Sequence, residues 1–512
     1  MNKVEAPYPL LPLDYPDPDV IRVDDTYYLV STTMHFMPGC EILKSYDLVN
    51  WEHACYVYDR LDSTPAQCLE GDLNIYGKGM WAASLRHHKG SFYVVFAAND
   101  TRKTYLYTTS DLSKPWKKQF IEGFYHDASL FFDDDERIYL VYGNTQIWLT
   151  ELKSDLTAPK DGGIHKVIVS EEDNPNLGYE GSHFYKINNQ YYLFLIHSLP
   201  TEWKRVQVCY TATSLDDPFV GKEVLNDDRG YFNQGIAQGG IVDSTVGDWY
   251  AVLFQDMGAV GRLPVLVPVS WEEEFPVFGK GNKVPKRIEV LANKPEYKYA
   301  PLYGSDDFRL SAGTPYGLKS FWQFNHEPNI DGFSINPEKG YYEIINQKTS
   351  KEMTQSQNML TQRMTYPTCA AEVTIDASKL KNGDTAGFAV LQYRYAFIGI
   401  KRENDQYRLI LTSYSGKSDK GKVKQSEKNA TVLIELPLDR TTITFKIEVD
   451  FRDLSDKVQF YYKDMNEYIQ LGPDIKLFFD LEHFVGNRFA LFSMATESIE
   501  GRARFFNFNY FK

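Results

Sequence analysis

One short phrase returns five times in the first half of the chain, each time with a different residue at its head. Asp17-Pro18-Asp19-Val20 leads to Tyr27-Tyr28-Leu29-Val30, and Trp81-Ala82-Ala83-Ser84 leads to Phe92-Tyr93-Val94-Val95. Asp127-Ala128-Ser129-Leu130 leads to Ile138-Tyr139-Leu140-Val141, and Glu180-Gly181-Ser182-His183 leads to Tyr191-Tyr192-Leu193-Phe194. The last copy runs from Gln238-Gly239-Gly240-Ile241 to Trp249-Tyr250-Ala251-Val252. In every copy the head stands 11 or 12 positions before the second aromatic. Units of about 45 to 65 residues, each with short β-type runs, have the length of a four-stranded propeller blade with insertions. Five copies predict a five-bladed β-propeller over residues 1–290.

The rest of the pattern agrees with an all-β chain. Each aromatic run is followed by a second strand and a turn of related type, Ser45-Tyr46-Asp47-Leu48, Thr109-Ser110-Asp111-Leu112 and Lys153-Ser154-Asp155-Leu156. Asp and Ser suit such turns because their side chains bond the local backbone. Tyr, Phe and Trp reach 15 % of the chain, a bias that favours strands, and long helical periodicity is absent. The pattern loosens over residues 291–317, which reads as a linker. Beyond it the strands alternate apolar and polar residues, as in Ala370-Ala371-Glu372-Val373-Thr374-Ile375, and predict a β-sandwich over residues 318–512.

Bulk properties narrow the partners. A net charge of −14 disfavours nucleic acid and anionic membrane but is silent on a neutral substrate. The five cysteines are scattered and form no CxxC pair, so neither a zinc site nor a disulfide framework is expected. No apolar run has the form of a signal peptide or a membrane span, and a cytoplasmic location is the expectation.

The heads carry the chemistry. Residues at the start of the inner strand of each blade converge on one mouth of the central channel, so Asp17, Asp127 and Glu180 are expected to meet. Hydrolysis of a glycosidic bond needs one carboxylate to activate water and one carboxylic acid to protonate the leaving oxygen. A neighbouring carboxylate or burial raises the acid's proton affinity. Glu180 has the longer reach toward a leaving group. Asp17 lies in Tyr15-Pro16-Asp17-Pro18-Asp19, where two prolines stiffen the backbone. Trp81 heads a blade and can wall a sugar pocket. Phe36 follows the first aromatic strand and can line it. His126 and His183 read as supporting residues.

Four segments in order, Tyr15-Pro16-Asp17-Pro18-Asp19-Val20, Gly79-Met80-Trp81-Ala82, His126-Asp127-Ala128-Ser129 and Tyr179-Glu180-Gly181-Ser182, resemble glycoside hydrolase family 43, the β-xylosidase and α-L-arabinofuranosidase group. Trp322-Gln323-Phe324-Asn325-His326 and Leu360-Thr361-Gln362-Arg363 are similar to the concanavalin-like jelly-roll sandwich appended to many of its β-xylosidases. The resemblance implies Asp17 as general base, Glu180 as general acid and Asp127 as the third acid that tunes and orients it. It implies Arg262 as a sugar-site arginine; Trp81 and Phe36, and Gln238 as the fifth head, are the further candidate substrate contacts by their places in the repeat. It also implies inversion in one displacement, with base and acid about 6.5–9.5 Å apart.

Two departures stand out. Trp81-Ala82-Ala83-Ser84 replaces the family's Trp-Ala-Pro-Asp, and Gln238 stands where many relatives have a histidine near a central calcium. No cofactor is therefore required and no metal ligand is assigned, although calcium is compatible. The sandwich, through residues 484–489, is expected to close the pocket on one side and favour exo action on an oligosaccharide. A homo-oligomer is compatible with the sequence. The rival readings are an arabinan-directed hydrolase of the same fold and a non-catalytic carbohydrate-binding propeller.

Overall fold

In the computed structural model, which describes residues 2–272, 274–309, 316–416 and 430–512, the repeat resolves into five antiparallel four-stranded sheets. Their innermost strands are Asp19–Val23, Met80–His88, Ser129–Phe132, Glu180–Ile187 and Ala237–Asp243, and these touch one another in a closed ring. The second strands, Thr26–Ser31, Ser91–Ala98, Ile138–Asn144, Gln190–Ser198 and Trp249–Asp256, hold the aromatic runs. They are buried along most of their length because each blade packs both faces against its neighbours. Lys3–Glu5 pairs with Glu289–Leu291 and ties the two ends of the propeller together. The Asp-containing turns close as expected: Asp47 Oδ1 accepts from the Val49 and Asn50 amides, Asp111 Oδ1 from Ser113, and Asp155 Oδ1 from Thr157.

The heads share a backbone device. Asp17, Asp127 and Gln238 adopt left-handed φ of 51°, 48° and 60°, and in blade four the positive φ passes to Gly181. Register also shifts between Met80 and Ala83, between Glu180 and His183, and between Ala237 and Gly239. A non-glycine residue with positive φ is costly, and a bulge re-aims the side chain it carries. The five inner strands thus begin with a kink that turns the head toward the channel mouth.

The second half forms two packed antiparallel sheets. One runs in the order Thr431–Leu438, Gln406–Ser413, Ala396–Glu403, Asp384–Leu391, Arg488–Ala495, Leu360–Arg363 and Gln323–Asn325, and its last strand is Phe36–Met37 from the propeller. The other places the final strand, Arg502–Phe511, between Tyr341–Ile345 and Thr368–Lys379. The expected linker is not a loose tether where it is described. The Asn293 amide bonds Tyr46 O, the Ala300 amide bonds Glu52, and Asp306 bridges Phe508 inside the sandwich. Residues 310–315 of that stretch lie outside the described residues.

The two halves share buried polar ties as well as a strand. Arg363 Nη1 pairs with Glu41 Oε2 at 2.7 Å, both nearly sealed from solvent, and Gln323 Nε2 donates to Pro38 O at 2.7 Å. Asp14 accepts the Arg262 amide on one oxygen (2.7 Å) and the Gly486 amide on the other (2.9 Å). Removing one partner of such a buried pair strands a charge, at a cost of about 3–5 kcal/mol. These ties hold residues 484–486 of the sandwich against the channel mouth.

Candidate active site

The channel mouth gathers one group from each of several blades. Asp17 is buried, with Oδ2 accepting from the Thr32 hydroxyl at 2.7 Å and Oδ1 paired with Arg262 Nη1 at 2.8 Å. Its loop is pinned by the Thr32 amide and the Ser31 hydroxyl, both donating to Pro16 O. Each carboxylate oxygen keeps a second lone pair, so the engaged Asp17 can still accept a proton from water. Asp127 lies opposite, its Oδ2 accepting the Gly181 amide at 3.2 Å. Glu180 is the more open acid, its side chain 22 % exposed against 8 % for Asp17 and for Asp127. Asn144 Nδ2 donates to Glu180 Oε2 at 2.6 Å and orients it.

His126 stands between two of the acids. Its Nε2 is 3.4 Å from Asp127 Oδ2 and 3.6 Å from Glu180 Oε2. Burial alone would lower the imidazole, but the charges of Asp127 and Glu180 push it up to about 9. Burial pushes the Asp127 carboxyl up to about 7; His126 opposes that rise while Glu180 and Asp17 add to it. A positive ring wedged between carboxylates is a charge-balancing device, and its titration belongs to the cluster as a whole. The expected outcome for Asp127→Asn follows from the sign. With one negative charge gone, neighbouring groups release protons more easily. The His126 ring should titrate lower by roughly one pH unit or more, read from its imidazole resonances by NMR. The alkaline limb of the kcat/KM profile should move to lower pH in step.

Aromatic and cationic groups complete the wall. Trp81 is half-buried, edge-on to His126 at 5.4 Å between ring centres and tilted against Phe484 at 6.3 Å. Arg262 lies with its guanidinium 4.6 Å from the Phe484 ring and 5.2 Å from Phe254, and its Nη2 donates to Phe484 O at 3.3 Å. Residues 484–489 thus enter the site through Phe484. Phe36 sits elsewhere than the mouth. It is 1 % exposed, paired with Asn325 across the shared sheet, with the Arg488 guanidinium 3.5 Å from its ring. It packs in the same cluster as Trp81 and Phe484 and backs the wall from behind. Gln238 is buried beside Glu180: its amide donates to Gln207 Oε1 at 2.7 Å and its side chain fills the space next to Gly181. His183 belongs to the axis below the mouth, where its Nδ1 lies 3.1 Å from Asp19 Oδ1.

That axis is already occupied by a cation of the chain. Asp19 is fully buried, and its Oδ2 takes Arg86 Nη1 at 2.7 Å and the Leu85 amide at 2.8 Å. Burial would raise the Asp19 carboxyl, but Arg86 and His183 hold it down at about 2. Arg86 Nη2 continues to Ser129 Oγ at 2.8 Å. Among the described residues, the cluster with metal-binding spacing is His126, Asp127 and Glu180.

Asn144, Thr32, Asp14 and Phe254 were not singled out by sequence. A usable signal exists for the first two. The second strand of a blade returns to the level of the heads, so Thr32 and Asn144, at the ends of Thr26–Ser31 and Ile138–Asn144, are placed to face them.

A propeller that brings three carboxylates, an arginine and an aromatic wall to one channel mouth defines a glycoside hydrolase. Comparison with known proteins agrees. Residues 6–276 match the family described as glycosyl hydrolases family 43, and residues 306–511 match its β-xylosidase C-terminal concanavalin A-like domain. The chain belongs to glycoside hydrolase family 43. A Bacteroides eggerthii structure described as a bifunctional GH43-CE protein is 38 % identical with a TM-score of 0.90, over 99 % of this chain and 64 % of that one. A Formosa agariphila protein named β-xylosidase is 25 % identical over 77 % of this chain and 74 % of its own. A Butyrivibrio fibrisolvens protein named xylosidase/arabinosidase is 28 % identical over 58 % of this chain and 60 % of its own. The chain thus spans less than two thirds of the first and third of these relatives.

Proposed function

We propose that the chain is an inverting exo-glycosidase that removes terminal β-D-xylosyl residues, α-L-arabinofuranosyl residues or both from xylo-oligosaccharides and arabinoxylan. The observation that carries this reading is the convergence of Asp17, Asp127 and Glu180 in a pocket that Phe484 of the sandwich walls on one side. A pocket walled in this way takes a chain end rather than a chain middle. Asp17 accepts the proton of the attacking water, and Arg262 and Thr32 hold it in place. Glu180 gives its proton to the glycosidic oxygen as the bond to the sugar breaks, with Asn144 setting its direction. Asp127 and His126 balance the charge around Glu180 at the channel mouth. Both sugars, xylose and arabinose, occur in the names of its relatives, and these support the choice.

In this reading no metal takes part. The axial carboxylate, Asp19, is satisfied by Arg86, and the Gln238 side chain packs against Gly181. The test is a product profile on xylobiose, xylotriose and branched arabinoxylan, with the first-formed anomer followed by NMR and the turnover compared before and after dialysis against a chelator. Single sugars released from chain ends, α-xylose as the first anomer from a β-xyloside and no loss on chelation are expected. Release of internal fragments, or of the retained anomer, overturns the reading, and release of arabinose from linear arabinan alone favours the arabinan-directed rival.

A further inference from the structure

Two large rings stand uncovered on the open side of the mouth. Trp203 is 49 % exposed and Phe232 50 %. Trp203 lies in the loop from Gln190–Ser198 to Arg205–Ala212, and Phe232 in the connection from blade four to the inner strand Ala237–Asp243. Both loops are on the face of the heads. Glu180 pairs with Ile196, two residues before its strand ends, so the Trp203 loop rises directly beside it.

Single exposed apolar side chains are ordinary on a surface. These two differ in how they are mounted. From the segment that leads to Glu180, Asn174 Nδ2 donates to Ser198 O and Asn176 Nδ2 to Leu199 O, each at 2.8 Å. From the other side, Asn233 Nδ2 donates to Glu202 Oε2 at 2.9 Å and reaches Trp203 O at 3.4 Å, joining the two loops. Phe232 and Asn233 both hold left-handed φ, 47° and 61°, a strained turn pinned by Asp228 through the Gly230 and Asn233 amides. Arg205 lies with its guanidinium 5.7 Å from the Trp203 ring and is ion-paired with Asp256, whose strand partner Arg262 grips Asp17. The fold therefore spends polar contacts and backbone strain to hold two apolar faces in water, next to the acid that protonates the leaving group. A pyranose presents an apolar face of C–H groups, and a rigid aromatic ring is the surface that takes it at small entropic cost.

We propose that Trp203, with Phe232 across the joined loops, is the binding platform for the leaving-group sugar, the pyranose on the reducing-end side of the scissile bond. The proposal rests on the exo-glycosidase reading above and assigns its second sugar site. It separates the two jobs of the mouth: Trp81 and Phe484 wall the sugar that is released, while Trp203 and Phe232 seat the chain that leaves.

The test compares a substrate whose leaving group is a sugar with one whose leaving group is a single atom. Xylotriose and β-D-xylosyl fluoride serve if xylose is released, and an arabinofuranosyl-xylotriose with arabinofuranosyl fluoride if arabinose is. For Trp203→Ala, KM on the oligosaccharide should rise roughly tenfold with kcat little changed, as expected for lost contact area common to ground and transition states. Phe232→Ala should act in the same direction, Trp203→Phe should restore part of the loss, and kcat/KM on the fluoride should stay within about twofold. Equal losses on both substrates would mark a structural role and overturn the platform, as would an unchanged KM on the oligosaccharide. A parent enzyme that turns over none of the four substrates sinks the exo-glycosidase reading and the platform together, whereas an active parent with an indifferent Trp203→Ala sinks the platform alone.

Discussion

Asp17→Asn is expected to lower kcat on xylobiose by roughly 10³-fold, equivalent to about 4 kcal/mol of lost transition-state stabilisation, with KM little changed. The amide keeps the size of the carboxylate and an oxygen that still accepts from Thr32 or Arg262. It cannot take a proton from water. The substitution also removes the negative partner of a buried arginine, and that loss is softened rather than cancelled by the amide oxygen. A fall of a few degrees in Tm, with an unchanged circular dichroism spectrum, is therefore expected beside the loss of turnover. Two measurements separate base loss from collapse of the pocket. KM reports whether the sugar is still held, and Tm reports whether Arg262 still ties blade one to blade five. A variant that keeps kcat within tenfold of the parent would remove Asp17 from the role of base.

The sequence announced this residue more plainly than the ones that hold it. The head-to-aromatic spacing is local, because it repeats within each blade, and so the five blades and the three acids were legible without any long-range contact. The supports are contacts across the chain. Asp14 bonds the Gly486 amide 472 residues away, and Arg262 reaches Asp17 across 245. No spacing within one segment encodes such a contact. Phe36 shows the same limit from the other side. Its place after the first aromatic strand suggested a pocket wall, but it pairs with Asn325 in the sheet of the other half and is sealed there. The Asp133-Asp134-Asp135 triplet lies in the hairpin turn between Ser129–Phe132 and Ile138–Asn144. Its first member nevertheless turns inward to Lys186 and the Tyr191 hydroxyl, because the neighbouring blade supplies a cation and a donor. What the sequence could not show is which polar residue faces which neighbour once the blades close into a ring.

Glu180→Gln carries the sharper signature, because its effect should depend on the substrate. On xylobiose the leaving group is a sugar hydroxyl that departs only if protonated, and kcat should fall by roughly 10³-fold. On an aryl glycoside with an acidic phenol the oxygen leaves with little help, and the same variant should lose less than about tenfold. The glutamine still accepts from Asn144 and fills the same space beside His126, so the ratio of the two losses reports proton donation and not a change of shape. The pH profile gives an independent reading. In the parent, kcat/KM is expected to fall on the alkaline side as the proposed acid loses its proton; with no proton to lose at position 180, that limb should vanish on the aryl substrate. His126 supplies the competing possibility, since it too carries a proton at neutral pH and lies 3.6 Å from Glu180. If His126 were the donor, Glu180→Gln would lower both substrates alike and leave an alkaline limb, moved below the His126 value of about 9 by loss of the Glu180 charge. A substrate-dependent loss together with a flattened limb places the proton on Glu180, and the open face of that residue, between Asn144 and the channel, is where the leaving oxygen must then sit.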